Sequence, residues 1–231
     1  MYALLDWDST LRESATIFTW MNFLIERGVL SEKRREEQEA IMEEYRRGLF
    51  DHDELSCRVN RHYMDSMTGM SLEDYRKNLR LYLDQDRGPD LPTTRAVTRW
   101  LREQGVDIIV VSGSPLRAIA PNFPWMGVKE AFALEEGVTD GQLDGRLLAD
   151  GGYNKERVVA LCRERYGEGP VLAMGDSASD IPLLRAARLP VMVNPDQELR
   201  EAFPTALAIR QDEEGARLLI RALDRTMAAV S

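Results

Sequence analysis

Short apolar runs alternate with helical patterns along most of this chain, and each of the first three runs ends in a polar segment. Runs of this length and apolarity are typical of parallel strands buried on both faces. With helices between them, they predict an α/β fold: a doubly wound parallel sheet in a three-layer, Rossmann-like core. The runs are YALL (2–5), VDIIVV (106–111), PVLAM (170–174), LPVMV (189–193) and ALAI (206–209).

Residues 11–88 interrupt this alternation with four helical patterns and no strand between them. We therefore expect an α/β core formed by residues 1–10 and 89–231, and an all-helical cap, residues 11–88, inserted after the first strand. Such an insert would lie over the end of that strand. The segment 130–148 alternates in polarity around the turn signal DGQLDG and predicts a hairpin or flap.

The composition excludes several classes of protein. A net charge of −9 with 44% hydrophobic residues describes a globular chain, and its acidic balance argues against nucleic acid or an anionic membrane as a partner. No run reaches the ~18 apolar residues of a membrane span, and no basic leader precedes an apolar stretch, so a cytoplasmic protein is expected. Cys57 and Cys162 form no metal or disulfide pattern. Monomer and dimer both stay open.

The polar segments after the first three runs should meet at one edge of the sheet, because ligands in open α/β sheets bind beyond the carboxyl ends of the strands. Close like charges such as Asp6 and Asp8 need compensation. A metal ion, a phosphate chemistry or a solvated turn would each explain them. Gathering Asp6, Asp8 and Asp176 without a cation would leave buried carboxylates unpaired, which is costly. Oxygen ligands without His or Cys favour a hard ion, and Mg²⁺ is the usual one beside phosphates.

This set of groups suits the transfer of a phosphoryl group. Asp6 is the candidate nucleophile, and Asp8 is the candidate general acid and base. Ser112 and the N–H of Gly113 would hold nonbridging oxygens. Lys155, one of only four lysines in the chain, would neutralise charge on the equatorial oxygens.

Four motifs in the same order resemble the haloacid dehalogenase superfamily of phosphatases, and most of all its phosphoserine phosphatase-like branch with a helical cap. The resemblance implies Asp6 as nucleophile, Asp8 as general acid and base, and Lys155 as a phosphate contact. It also implies Mg²⁺ held by Asp6, the Asp8 carbonyl and Asp176, with Asp180 near the metal. The motifs are D-x-D-x-T at Asp6, Asp8 and Thr10, a strand ending at Ser112, a lysine before a helix at Lys155, and G-D-x-x-x-D at Gly175, Asp176 and Asp180.

The expected activity is therefore Mg²⁺-dependent hydrolysis of a small phosphate ester through an aspartyl-phosphate. A phosphotransferase that uses a second alcohol and a non-catalytic phosphate-ester-binding protein are the alternatives. Thr10 and Ser179 join the expected substrate-binding residues, and Ser179 stands where the phosphoserine phosphatase-like branch commonly has Asn. Glu13 and Arg58 lie off the positions expected for contacts to phosphoserine, so phosphoserine, histidinol phosphate, phosphocholine and sugar phosphates all stay candidates.

Two further interpretations concern the cap. Phe18, Trp20 and Phe23 are expected in its core; if two of them faced the cleft, a cationic group such as choline would fit there. DHDE (51–54) is interpreted as a helix N-terminus and not as a metal site. The two histidines, His52 and His62, are expected at the surface.

Overall fold

The computed structural model describes residues 1–86, 88–152 and 154–229. Within these ranges seven strands form one sheet, which confirms the predicted α/β class and every predicted strand. The strands are β1 (Tyr2–Asp6), β2 (Asp107–Pro115), β3 (Val128–Thr139), β4 (Gln142–Ala149), β5 (Leu172–Gly175), β6 (Leu189–Val193) and β7 (Leu207–Ile209). Their order is β4-β3-β2-β1-β5-β6-β7, and every pair is parallel except β3 with β4.

Helices cover both faces of the sheet. Three short helices, at residues 116–119, 123–126 and 197–202, carry no clear sequence period and were not predicted. The helices are α1 (Thr16–Glu26), α2 (Glu32–Arg46), α3 (His52–Met67), α4 (Leu72–Gln85), α5 (Pro92–Glu103), α6 (Leu116–Ile119), α7 (Phe123–Met126), α8 (Lys155–Tyr166), α9 (Ile181–Ala186), α10 (Gln197–Ala202) and α11 (Glu213–Ala228).

The central strand β1 is buried on both faces, and its side chains divide between two cores. Ala3 and Leu5 point into the core shared with α5 and α11, whereas Tyr2 and Leu4 point into the core shared with α8 and α9. This division follows from the two-residue period of a strand. Because neither face meets water, the run has to be apolar until it reaches the edge of the sheet at Asp6.

Helices α1 to α4, called the helical insert from here, follow β1 and pack around a hydrophobic cluster, the insert core, to which Leu134 and Leu143 of the β3–β4 hairpin also contribute. Trp20 is fully buried there, with its ring edge-on to those of Tyr75 and Tyr82 at centroid distances of 5.3 and 5.4 Å. As expected for DHDE, Asp51 is the N-cap of α3 and accepts a hydrogen bond from the N–H of Glu54. The division into a core and a cap at residues 11–88 stays a prediction.

The hairpin expected around DGQLDG is present as β3 and β4. Its two-residue turn, Asp140-Gly141, has φ values of 50° and 77°. Positive φ at both positions is what a type I′ turn requires. The hairpin supports the insert, since Gly69 donates its N–H to the carbonyl of Leu143 at 2.8 Å.

One expectation about the insert is wrong. His62 is not at the surface but is buried between α3 and α2, where its Nε2 lies 3.0 Å from the carbonyl oxygen of Arg34. Burial lowers the pKa of this imidazole. His52 is exposed, as expected. Among the described residues, no helix is both long and apolar enough to cross a membrane.

Candidate active site

The carboxyl ends of β1, β2 and β5 meet at one edge of the sheet, under the helical insert. Asp6 ends β1 and lies opposite Val111 of β2, and its neighbour Leu5 lies opposite Met174 of β5. A cleft of about 300 Å³ opens at this edge. Asp6, Asp8, Gly113, Lys155, Asp176 and Ser179, all predicted site residues, line it.

The chain turns sharply after β1, and this turn sets the two aspartates apart. Leu11 donates its N–H to the carbonyl of Trp7, and Ser9 adopts a left-handed conformation with φ 57°. Gln211, which the sequence did not point to, stabilises this turn through its side chain. Its Nε2 donates to the carbonyl oxygens of Ser9, Thr10 and Arg12 at 3.0 to 3.1 Å.

Asp6 shares a buried cation with Asp180. The Nζ of Lys155 lies 2.9 Å from Asp6 Oδ1 and 2.5 Å from Asp180 Oδ1. Lys155 is the first residue of α8, and its side chain is 6% exposed. Burial lowers the pKa of Lys155, but the charges of Asp180 and Asp6 more than offset burial and hold that pKa above its ordinary value. The lysine is therefore a fixed positive charge.

Asp180 is oriented by the loop after β5. Its Oδ2 accepts hydrogen bonds from the N–H groups of Asp176 and Ser177 at 3.0 and 3.2 Å. The approach is so close that a Cβ on Gly175 would lie 2.3 Å from the Cβ of Asp180. Only glycine fits at the end of β5, which explains the glycine that opens the GDSASD motif.

The acidic cluster lacks enough positive charge of its own. Burial raises the pKa of Asp6 well above its ordinary value, and Asp180 adds to this, while Lys155 opposes it. The pKa of Asp176 is raised to about 7 by burial first and Asp180 second. One lysine therefore does not balance three carboxylates, because a buried carboxylate without a counter-charge tends to hold its proton.

A divalent cation fits this cluster. Asp6, Asp176 and Asp180 each offer a carboxylate oxygen, and the three oxygens lie within 4.8 Å of one another. All the donors are hard oxygen atoms, as Mg²⁺ prefers. A cation at this place would oppose the effect of burial and of Asp180, which raise the pKa values of Asp6 and Asp176.

Asp8 is held by different partners. Its Oδ1 accepts hydrogen bonds from the N–H and the hydroxyl of Thr16 at 2.7 and 3.0 Å. Its Oδ2 accepts from the hydroxyl of Ser114 at 2.5 Å and from that of Ser112 at 3.4 Å. Burial raises the pKa of Asp8, and these donors only partly oppose the effect. A carboxyl group in this setting is suited to carry a proton.

Ser112, Gly113 and Ser114 form an irregular stretch at the end of β2. Between Val111 and Pro115 the strand advances four residues while β3 advances two, from Phe132 to Leu134. Such a bulge re-aims side chains at the rim of a sheet. The Ser112 hydroxyl accepts from the Ser114 N–H at 2.9 Å and is fully buried, so Gly113 is the residue of this stretch that lines the cleft.

Sequence reasoning and the structure differ most at residues around the motifs. Thr10 is fully buried, its Oγ1 has no hydrogen-bond partner among the described residues, and it does not line the cleft. Thr16, Ser114 and Asp150 were not expected in the site. Ser114 could have been predicted from the sequence, because it carries a hydroxyl two residues after the motif position Ser112. Thr16 and Asp150 come from segments outside the motifs.

The comparisons with known proteins fit this geometry. Residues 3–185 match the family described as haloacid dehalogenase-like hydrolase. The chain belongs to that family and is an enzyme of the hydrolase class, which confirms the resemblance inferred from the four motifs. The match covers every motif position from Asp6 to Asp180.

Among curated proteins, the chain is 25% identical over 210 residues to a histidinol-phosphatase of Neisseria meningitidis serogroup C (strain 8013), covering 86% of this chain and 92% of that protein. It is 30% identical over 122 residues to a phosphoserine phosphatase of Streptomyces coelicolor (strain ATCC BAA-471 / A3(2) / M145). That second match spans 51% of this chain and 30% of the relative.

Solved structures share the fold. A protein of unknown function from Bordetella pertussis Tohama I superposes with a TM-score of 0.76 at 22% identity, over 90% of this chain and 97% of that one. A substrate-bound phosphoserine phosphatase superposes with a TM-score of 0.67 at 22% identity, over 96% and 97%. At this identity the likeness establishes the fold alone.

Proposed function

We propose that this protein is a Mg²⁺-dependent phosphomonoesterase that works through an aspartyl-phosphate on Asp6. The observation that carries the proposal is the contrast between two carboxylates of one cleft. Asp6 lies 2.9 Å from a lysine ammonium, whereas both oxygens of Asp8 accept hydrogen bonds from hydroxyl and N–H groups. The charge of Lys155 favours the ionised form of Asp6, as a nucleophile requires, whereas burial, which the hydrogen bonds only partly oppose, raises the pKa of Asp8 and suits it to carry a proton.

The reaction would proceed in two displacements. In the first, a carboxylate oxygen of Asp6 bonds to phosphorus, the ester P–O bond breaks, and the leaving alcohol oxygen takes the proton of Asp8. In the second, Asp8 takes a proton from water, the water oxygen bonds to phosphorus, and the P–O bond to Asp6 breaks. Inorganic phosphate leaves and both aspartates return to their starting states.

The remaining residues would position the phosphoryl group. Lys155 would bind one nonbridging oxygen, and the N–H of Gly113 another, since the Ser112 hydroxyl is already engaged. Asp6, Asp176 and Asp180, with the backbone carbonyl of Asp8, would hold Mg²⁺. The ion would supply the charge that keeps Asp6 ionised and draws negative charge from the phosphoryl oxygens.

The helical insert, taken as residues 11–88, would act as a cap that keeps bulk water out during the first displacement. Its α1 and α3 contribute Phe18 and Leu55 to the wall of the cleft. Such a cover favours a small phosphate ester over a phosphoprotein as the substrate. We expect the reaction to take place in the cytoplasm. The names of the relatives nominate two such esters, histidinol phosphate and phosphoserine.

Phosphate release from a panel of esters tests the proposal. The panel contains histidinol phosphate, phosphoserine, phosphocholine, a sugar phosphate and p-nitrophenyl phosphate, each with Mg²⁺ and with EDTA. We expect release that depends on Mg²⁺ and is lost in Asp6→Asn. The matched control is Asp140→Asn, an identical change at the tip of the β3–β4 hairpin, where Asn also tolerates the positive φ of 50°.

The outcomes separate the candidate functions. Release unaffected by Asp6→Asn would refute the aspartyl-phosphate route. Phosphorylated acceptor in place of free phosphate, when a second alcohol is added, would instead indicate a phosphotransferase. Saturable binding of the esters with no turnover even of p-nitrophenyl phosphate would indicate a binding protein.

A further inference from the structure

The part of the cleft that receives the alcohol is built mainly from the helical insert. Ile17 and Phe18 of α1 and Leu55 and Val59 of α3 contribute an apolar wall to the cleft that also contains Asp6 and Lys155. Phe18 is partly exposed, so a face of the wall stays open to a ligand. This wall suits the carbon skeleton of a small alcohol.

The charges around that wall are mostly negative. Asp6 and Asp176 belong to the proposed Mg²⁺ site and Asp8 is the proposed proton carrier, so Asp150 is the further carboxylate among the described residues that line the cleft; the ammonium of Lys155 is shared between Asp6 and Asp180. No arginine lies among the described residues that line it. An alcohol with its own carboxylate would therefore add negative charge where no guanidinium can pair with it, and like charges in a partly desolvated site repel.

Asp150 lines the same cleft and is bonded both to the insert and to the loop beside Gly113. Its Oδ1 accepts the N–H of Gly152 at 3.0 Å, and its Oδ2 accepts from Nδ2 of Asn60 at 2.6 Å. Gly152 in turn packs on Gly113: a Cβ at Gly152 would lie 2.4 Å from the backbone of Gly113. The carboxylate is thus fixed in direction by one bond from the core and one from the insert.

A carboxylate oriented in this way can still accept further hydrogen bonds, because each of its oxygens has two lone pairs. A primary ammonium on the carbon next to the phosphate-bearing carbon would complement its charge. A quaternary ammonium is a poorer match, since it has no N–H to donate and prefers an aromatic cage. Of Phe18, Trp20 and Phe23, only Phe18 lines the cleft, while the other two pack in the insert core.

Resting on the phosphatase function proposed above, we infer that the substrate is the phosphate ester of an amino alcohol without a carboxylate, and that Asp150 binds its ammonium group. Asp150, which lies outside the four motifs, would then determine the specificity for the alcohol part of the substrate. It also favours the class to which histidinol phosphate belongs over phosphoserine.

Four phosphate esters of small primary alcohols, which differ in their ammonium and carboxylate groups, test this inference. Phosphoserine carries both an ammonium and a carboxylate, phosphoethanolamine only the ammonium, 3-phosphohydroxypropionate only the carboxylate, and ethyl phosphate neither. For the wild type we expect kcat/KM to be highest for phosphoethanolamine. A charge-assisted hydrogen bond is worth roughly a 10- to 100-fold preference over ethyl phosphate. Both carboxylate esters should fall below their carboxylate-free partners.

The variant Asp150→Asn keeps an oxygen for the Gly152 N–H and removes only the charge. It should lose about tenfold or more of the preference for phosphoethanolamine over ethyl phosphate. Turnover of p-nitrophenyl phosphate, which has no ammonium, measures any general loss at the phosphate site, and the ratio of kcat/KM for the two alkyl esters isolates the effect on the ammonium. Asp140→Asn serves as the control, and thermal unfolding checks that each variant is folded.

The results distinguish failure of the inference from failure of the proposed function. Turnover of p-nitrophenyl phosphate with a wild-type preference for phosphoserine or 3-phosphohydroxypropionate would overturn the inference and leave the phosphatase intact. No turnover of any ester would refute the phosphatase itself. Because the four-ester comparison needs only the wild-type protein, an unfolded Asp150→Asn would still leave the substrate class decided.

Discussion

Arg12 and Asp86 form a buried ion pair that joins the two chain segments leading into and out of the helical insert. Nη1 and Nη2 of Arg12 lie 2.9 and 3.1 Å from the two oxygens of Asp86, a bidentate arrangement. The side chains are 3% and 10% exposed. The Tyr82 hydroxyl also accepts from Nη1 at 3.2 Å, and the Gly88 N–H donates to Asp86 at 3.0 Å.

Removing either partner should cost far more than removing both. Arg12→Met leaves a buried carboxylate without its counter-ion, and Asp86→Asn leaves a buried guanidinium. Each should lower the free energy of unfolding by about 3–5 kcal/mol. In the double variant no uncompensated charge remains, and the Asn oxygen still accepts from Gly88, so the total loss should be well below the sum.

Urea unfolding of the wild type, the two single variants and the double variant at pH 7 measures this coupling. The matched control is the same cycle on Arg46 and Glu43 of α2, a pair 2.8 Å apart whose side chains are 64% and 59% exposed. That exposed pair should couple by only about 0.5 kcal/mol. If the Arg12 and Asp86 losses add to within about 0.5 kcal/mol, the pair does not act as a buried unit and the reasoning is wrong.

Three further predictions concern charge. Asp8→Asn should slow hydrolysis of an alkyl phosphate about 10²- to 10⁴-fold. Hydrolysis of p-nitrophenyl phosphate should slow much less, because its leaving group needs no proton. The values of kcat/KM for both esters, in the wild type and the variant, check this. Burial raises the pKa of Glu136 above its ordinary 4.5, so the unfolded chain loses that proton first as the pH rises. The free energy of unfolding of the wild type, measured in urea, should therefore fall relative to that of Glu136→Gln as the pH rises above 4.5. The exposed Glu135→Gln is the control. Equal dependence of the wild type and Glu136→Gln on pH would refute the prediction. Mg²⁺ should raise the melting temperature of the wild type, and Asp176→Asn should reduce that rise; an equal rise in both would argue against Asp176 as a ligand.

The strands and the chemistry at their ends could be predicted because both are local in the sequence. The four-residue apolar run YALL, followed by Asp6, indicates a strand buried on two faces that ends at the edge of the sheet. The short helices between β2 and β3 could not be found in this way, since α6 and α7 have four residues each and hence no helical period to read. Lys155 was found because its motif fixed its place; its pairing with two carboxylates needed the fold.

The residues that were missed act across long separations in the chain. His62 is buried because α2 packs over that face of α3, and nothing in its neighbours along the chain reveals this. Asp150 and Asn60 meet across 90 residues, and Ser114 and Asp8 across 106. A polar side chain with a partner that distant looks the same in the sequence as one that faces solvent.

The two aspartates of DWD owe their different settings to where each finds its partners. Asp6 forms an ion pair with Lys155, which also pairs with Asp180, and neither partner belongs to the insert. Asp8 also depends on the insert: α1 has Ala15 at its N-cap with no capping side chain, and Asp8 fills that place by accepting the Thr16 N–H at 2.7 Å. Since the end of a helix favours a negative group there, any movement of α1 away from the core would remove both the bond and the favourable field. Under the proposed mechanism, such a movement would leave the nucleophile in place and misalign the proton carrier, so it would impair protonation of the leaving alcohol more than attack on phosphorus.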